Sequence, residues 1–492
     1  MLLERFFETD LAQASYLIAS TDAGRAVVVD PRRDVQGYLD LAAKHGVSIT
    51  DVTETHIHAD YLSGTRELAA ATGATIHVSG HGGADWSYGY DAHLLHDGDE
   101  IAVGEVRLRA LHTPGHTPEH LSFLVTDGSV ADEPGYLLSG DFIFAGDLGR
   151  PDLLDEVAGG VDTREDSART MFASLRDRFV TLPDHLQVFP GHGAGSACGK
   201  SLGAVPSTSV GYEKRFAWWA PFVAAGDEAG FVDELLGGQP EAHAYFARMK
   251  RQNRDGPAVR GAVEPRPELD PADVASALAS GAAVLLDTRS LEEVHSGAVI
   301  GALTVPATAS RSTYAAWTFD PEREDTSVIL LARDDDQAQE LRDNLLRVGI
   351  DAVAGYVTAL GALPGFVPEI VASADLEGHR HDLVLDVRGR DEHADGAVPG
   401  SQQLHGGRAL WELDALPEGG RIVVYCQSGL RAGVVSSALR RAGYDIVELE
   451  GSYAGWSRWA EAAEDDAPGA EPAGAEPAGA EKAGAENAAD AR

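Results

Sequence analysis

In the first 260 or so residues, apolar positions come in short alternating runs: Tyr16–Ser20, Ala26–Val29, Val106–Leu111 and Leu121–Thr126, bounded by Gly, Pro or Asp. A period of two predicts half-buried strands. From residue 268 the pattern changes. The continuous runs Ala-Ala-Val-Leu-Leu-Asp and His-Asp-Leu-Val-Leu-Asp each follow a helix-like stretch. The later runs Ser327–Leu331 and Arg421–Tyr425 each feed an amphipathic stretch, Ala338–Val348 and Ala432–Gly443. Strands alternating with helices predict parallel α/β sheets. The set Leu285-Leu286-Asp287-Thr288-Arg289, Glu293, Gly297-Ala298-Val299, Gly301 recurs at one fixed offset as Val384-Leu385-Asp386-Val387-Arg388, Glu392, Gly396-Ala397-Val398, Gly400. That repeat predicts two duplicated domains. Gly256–Pro267, with three prolines, reads as a linker. The run from 465 to 492, rich in Ala, Gly, Glu and Pro and without aromatic or β-branched residues, reads as a disordered acidic tail. The predicted divisions are 1–260, 268–365, 370–460 and 465–492.

Composition narrows the function. The 492 residues are 44% apolar and 24% charged, the profile of globular domains. Acids number 78 against 39 Lys+Arg, a formal charge of −39, and 34 of the 39 cations are Arg. Nucleic-acid binding and a polybasic membrane anchor are excluded as the main activity. Two cysteines, Cys198 and Cys426, exclude a disulfide framework and a multi-thiolate zinc site. Scarce thiols, a start lacking a long apolar core, and a greasiest stretch (Phe216–Ala225) broken by Pro221 together predict a cytoplasmic protein.

Ten of the 18 histidines fall between His45 and His120. Thr55-His56-Ile57-His58-Ala59-Asp60-Tyr61 follows an apolar strand ending, so His56 and His58 are expected on one side of an extended segment. Thr113-Pro114-Gly115-His116 is a turn, Leu137-Leu138-Ser139-Gly140-Asp141 ends a strand in an acid, and Phe189-Pro190-Gly191-His192 ends another in a histidine. A sheet aligns its strand ends along one edge, so four such ends predict a metal site. These motifs resemble the metallo-β-lactamase fold superfamily, with its H-x-H-x-D-H, G-H, G-D and G-H segments. The resemblance implies an αββα sandwich over the first 250 residues or so. Tyr61 stands where the family's second-metal histidine falls, and a phenol is a poor zinc ligand at neutral pH. Two imidazoles and one carboxylate match the face of non-haem Fe(II) oxygenases. The persulfide dioxygenase branch of the superfamily implies His56, His116 and Asp141 as ligands to one Fe(II) per chain, zinc being the alternative. His58, Asp60 and His192 would then orient ligands or substrate. The segment Gly149-Arg150-Pro151-Asp152 is also similar to that branch; Arg150 either binds an anionic group or pairs with Asp152.

The strand Ile422-Val423-Val424-Tyr425 runs into Cys426-Gln427-Ser428-Gly429-Leu430-Arg431. A thiol at a strand-to-helix turn sits among backbone N–H groups that favour a thiolate, and Arg431 adds a cation. The Cys-x4-Arg loop resembles the rhodanese sulfurtransferases, which implies two rhodanese-like parallel α/β domains after the sandwich and a persulfide on Cys426. In the first copy Ala332 takes the nucleophile's place and Asp334-Asp335-Asp336 replaces the cradle, implying a domain without sulfurtransferase activity. Cys198, six residues past His192, is either an accessory sulfur-handling thiol or an inert turn cysteine.

The resemblance implies a persulfide dioxygenase fused to a sulfurtransferase, in sulfide detoxification. A low-molecular-weight thiol persulfide and O2 give sulfite, and Cys426 passes sulfane sulfur to sulfite to form thiosulfate. The implied partners are that persulfide, O2 and sulfite; a homo-oligomer is expected, with neither nucleic acid nor membrane. Two other readings stay open: a zinc thioester hydrolase of the glyoxalase II type, and a non-catalytic persulfide carrier or sensor.

Overall fold

The computed structural model describes residues 1–153, 163–200, 202–261, 265–308, 310–361 and 363–465. Beyond Asp465 the expected tail lies outside the described residues, as do positions 262–264 of the linker.

Two six-stranded sheets form the first unit. One runs, in spatial order, Leu2–Glu8, Gln13–Ser20, Arg25–Val29, Ser48–Thr53, Thr75–Ser79 and His93–Leu95. The other runs Thr208–Ser209, Gln187–Pro190, Tyr136–Gly140, Leu121–Asp127, Val106–His112 and Glu100–Val103. The predicted alternation sorts side chains between layers. Tyr16, Ile18, Val27, Leu108, Phe123 and Val125 fill one core between the sheets. Their neighbours Leu17, Ala19 and Val28 face outward onto Tyr38 and Ala42 of the helix Gln36–His45 and Leu68 of the helix Thr65–Thr72. Leu124 and Leu137 face the other way, onto Met171, Phe172 and Phe231 from the helices Arg164–Ser174 and Glu228–Leu236. This is the αββα sandwich.

Register places the chemistry. Val29 pairs with Thr53 in parallel, so Asp30 and Glu54 leave the first sheet side by side. Gly140 pairs with Pro190, also in parallel, so Asp141 and Gly191 leave the second sheet together. A bridge between Gln13 and His192 ties the two edges.

Two parallel sheets follow. The first is ordered Leu303–Thr304, Ala283–Asp287, Ser327–Leu331, Val353–Val357. The second is ordered Glu369–Val371, Asp445–Leu449, Arg421–Tyr425, Leu383–Asp386, Gln402–Gln403. Asp287 pairs with Leu331 and Asp386 with Tyr425, so Ala332 and Cys426 leave equivalent points. The repeated residues are a structural clamp. Arg289 grips Asp287 and the Gly297 carbonyl, at 2.6 and 2.8 Å. Arg388 grips Asp386 and the Gly396 carbonyl, both at 2.7 Å. The copies differ at their openings: the first has the helix Pro271–Ser280, whereas the second has only the 3-10 turn Ser373–Asp375.

The three units share one apolar core. Tyr61, Tyr245 and Met249 of the sandwich region pack in the same cluster as Leu286 and Trp317 of the second unit and Val424 of the third. Among the described residues no helix is long and apolar enough to cross a membrane.

Candidate metal centre and cysteine loop

Asp141 is fully buried, and neither of its carboxylate oxygens has a hydrogen-bond partner. Three imidazole Nε2 atoms stand around its Oδ2: His192 at 3.6 Å, His116 at 3.7 Å and His56 at 3.8 Å. Each ring is fixed from its far side. His116 Nδ1 donates to the Arg150 carbonyl at 2.9 Å, and His192 Nδ1 donates to the Ala12 carbonyl at 3.2 Å. His56 Nδ1 lies 3.0 Å from Thr55 Oγ1, which donates to Asp30 Oδ2 at 2.9 Å. Holding Nδ1 as a donor turns each Nε2 lone pair toward Asp141, the arrangement in which histidine binds a metal. Burial pushes His56 and His116 below the usual imidazole value, which favours the neutral form that can bind a metal. A buried carboxylate without donors is costly unless a cation completes it. The residues present therefore fit a divalent metal ion, and His56, His116 and Asp141 offer ligand atoms all within 4.8 Å of one another.

The segment after Thr53 is a bend, not the extended stretch expected from the H-x-H spacing. The His56 and His58 rings lie 4.1 Å apart, but His58 Nε2 goes to Asp30 Oδ1 at 3.1 Å and Glu54 Oε2 at 3.3 Å. Burial alone would lower His58; the two carboxylates outweigh it and raise it well above the usual value. His58 thus faces these two carboxylates rather than Asp141, and the three offer ligand atoms within 4.8 Å of one another. Tyr61 is buried too, its hydroxyl accepting from Gln13 and donating to the Asp30 carbonyl. Asp60 Oδ2 lies 3.5 Å from His192 Nε2, and Cys198 joins these two, the three offering ligand atoms within 4.8 Å of one another. Burial, then Asp60 and Asp141, push the Cys198 thiol well up, which keeps it protonated. Arg150 is fully buried in a fork on Asp152, at 2.9 and 2.5 Å. Of the two readings of Arg150 the structure shows the ion pair, and its carbonyl positions His116.

Sequence reasoning missed Asp30, Glu54 and His120. His120 Nδ1 meets Thr113 Oγ1 at 2.9 Å, while its Nε2 accepts from the Asp141 amide at 3.1 Å. Asp30 carried the same signal as Asp141, an acid closing an apolar strand.

Cys426 is buried, and its Sγ accepts from the Gly429 amide at 3.2 Å. Gly429 has φ of 107°, a left-handed conformation natural for glycine, and opens the helix Leu430–Arg441. The Cys426 amide is capped by Ser452 Oγ at 3.2 Å. Arg431 does not point a free charge at the sulfur: Glu392 holds it through two bonds of 2.7 and 2.8 Å. The sulfur thus rests on the Gly429 amide and the helix terminus more than on the cation.

Residues 9–192 match the Metallo-beta-lactamase superfamily, and residues 368–458 match the Rhodanese-like domain. Persulfide dioxygenase ETHE1, mitochondrial, of Bos taurus is 28% identical over 200 residues, 39% of this chain and 68% of that protein. Hydroxyacylglutathione hydrolase of Rhodospirillum rubrum is 32% identical over 177 residues, 36% of this chain and 60% of that protein. A solved metallo-beta-lactamase from Staphylococcus aureus is 37% identical with a TM-score of 0.62, covering 72% of this chain and 98% of that one. The likeness to that structure is too long for the sandwich alone. The chain belongs to the metallo-beta-lactamase superfamily, as a fusion of that fold with a C-terminal rhodanese-like domain.

Proposed function

We propose that the chain is a persulfide dioxygenase coupled to a sulfurtransferase. A low-molecular-weight thiol persulfide, O2 and water give the thiol, sulfite and two protons. The observation that carries this reading is the diversion of His58. Asp30 and Glu54 engage its Nε2 away from Asp141, which leaves His56, His116 and Asp141 as a two-imidazole, one-carboxylate face. Relatives named as persulfide dioxygenases, and a sulfur-transfer domain in the same chain, support it. Iron(II) bound by that face supplies the redox chemistry with O2. The protein's own groups do the rest. Thr55, Arg150 and Ala12 hold the three imidazole rings in orientation. Asp60 and the Nε2 of His192, both buried and unpaired by hydrogen bonds, border the side where the persulfide is held and its proton received.

At the other site, Cys426 takes sulfane sulfur from a second persulfide. Sulfite then attacks the outer sulfur, the S–S bond breaks, and thiosulfate leaves with the Cys426 thiolate restored. The Gly429 amide and the helix terminus stabilise that thiolate.

Metal analysis with thioester and persulfide assays tests the reading against a glyoxalase II-type hydrolase, which relatives also represent. Iron with O2 uptake on persulfide is the expected result. Zinc, rapid thioester cleavage and no O2 uptake would overturn it.

A further inference from the structure

Three donors beside the metal centre stand outside its two-imidazole, one-carboxylate face, and they converge. Asp60 Oδ2 and His192 Nε2 lie 3.5 Å apart, and neither atom has a hydrogen-bond partner. Cys198 completes a set whose ligand atoms all lie within 4.8 Å of one another. All three residues are buried, at 5%, 1% and 2% exposure. Bonds of about 2.1 Å around a tetrahedral zinc ion set its ligand atoms about 3.4 Å apart. Asp60 and His192 already stand close to that spacing.

The loop after His192 is tied so that Cys198 returns beside it. Gly195, with φ of 101°, turns the chain. The Gly193 amide donates to the Ala12 carbonyl, which also holds His192 Nδ1. The Cys198 amide donates to Ser196 Oγ, and the Arg150 amide donates to the Cys198 carbonyl. Tyr61, whose position corresponds to the second-metal histidine of the superfamily, is turned to Gln13 and Asp30 instead. Cys198 therefore brings a third ligand from a different segment. Among the described residues no Arg or Lys pairs with the Asp60 carboxylate, which leaves it to a cation of another kind. One thiolate, one imidazole and one carboxylate suit a soft divalent ion better than does the face at Asp141. Asp60, Ala197 and Gly199 line a cavity of about 480 Å³, which gives an ion a way in.

We propose that Asp60, His192 and Cys198 bind a second, thiophilic divalent cation of the zinc class, and that this ion closes the persulfide's side of the metal centre. As the sulfur–metal bond forms, the Cys198 thiol proton leaves to solvent, and one thiolate and one carboxylate then balance the two positive charges. The binding stands by itself. The closure rests on the dioxygenase reading, which puts the persulfide against Asp60 and His192.

Cobalt(II) is the probe, because a cobalt–thiolate bond gives an intense near-ultraviolet charge-transfer band that nitrogen and oxygen ligands do not. The chain has two cysteines, so in Cys426→Ser any such band comes from Cys198. Iron-loaded Cys426→Ser, titrated with cobalt(II) without oxygen, should develop the band up to one equivalent per chain. In the same background Asp60→Asn should weaken cobalt binding by at least about tenfold. No band in Cys426→Ser, or unchanged affinity in Asp60→Asn, overturns the site. If the double variant does not fold, the Cys426→Ser titration decides. One equivalent of zinc should then stop O2 uptake by iron-loaded Cys426→Ser on a persulfide. Uptake that continues with the site filled overturns the closure. A band in protein that takes up no O2 even without zinc sinks the dioxygenase reading and leaves the site standing.

Discussion

Four non-glycine residues among those described hold positive φ: Ala12, Asp30, Ser310 and Ser452. Three of them serve the proposed sites: Ala12 supplies the carbonyl that fixes His192, Asp30 anchors Thr55 and His58, and Ser452 caps the Cys426 amide. Backbone strain persists where the surroundings over-determine it, and here it sits under ligand-orienting groups. The Asp30–Thr55–His56 relay makes a direct prediction. Thr55→Val keeps the shape but removes the hydroxyl, and metal affinity should fall by about 10–100-fold. A metal titration checks this; unchanged affinity would mean the relay does not orient His56. The strand-end rule found Asp141 and His192 but passed over Asp30. What matters at Asp30 is its partner Thr55, brought alongside by parallel pairing of Val29 with Thr53, and sequence does not reveal register.

At the scale of elements, the internal repeat was legible as a pattern but its cause was not. The repeated Asp, Arg and Gly build a clamp that pins the crossover after the first core strand of each parallel sheet. In the third unit the clamp is buried, and Tyr453 lies over Arg388 at 4.1 Å. Arg388→Met leaves the buried Asp386 with only His393 as its charged partner and should cost about 3 kcal/mol in chemical denaturation. Arg289→Met should cost less, because the Arg289 side chain is 23% exposed. Burial alone would raise Asp386, but Arg388 and His393 outweigh it and hold the carboxyl below the usual value. Its stabilising contribution is therefore present above the unfolded pKa of about 3.9 and is lost as pH falls through the lower folded value. Asp386→Asn should lower stability at neutral pH and flatten its fall in acid; an unchanged acid profile would contradict this. The sequence also suggested an extended H-x-H segment. The two carboxylates that capture His58 come from different strand ends, and they bend it instead.

On the scale of the whole molecule, the order of units could be read from motifs, because each motif is local. Their junction could not. Trp317 meets His243, His405 and the Gly406–Gly407 pair across long stretches of chain, and no local pattern announces such a contact. The shared core predicts that the units unfold together. Calorimetry should show one cooperative transition for the full chain, and a fragment of residues 1–260 should melt at lower temperature because Tyr245 and Met249 lose their cover. Three separate transitions would show that the junction adds little stability. The overall charge of −39 favours solubility through repulsion between copies.

The most direct test of the central claim is the ratio of O2 consumed to persulfide consumed, measured in an oxygen electrode with the iron-loaded protein. Coupling of the two sites predicts one O2 for every two persulfides in the wild type, ending in thiosulfate. Cys426→Ser, which removes only the transfer step, should shift the ratio to one O2 per persulfide, with sulfite accumulating. Persulfide loss without O2 uptake, or the same ratio in both proteins, would contradict the account.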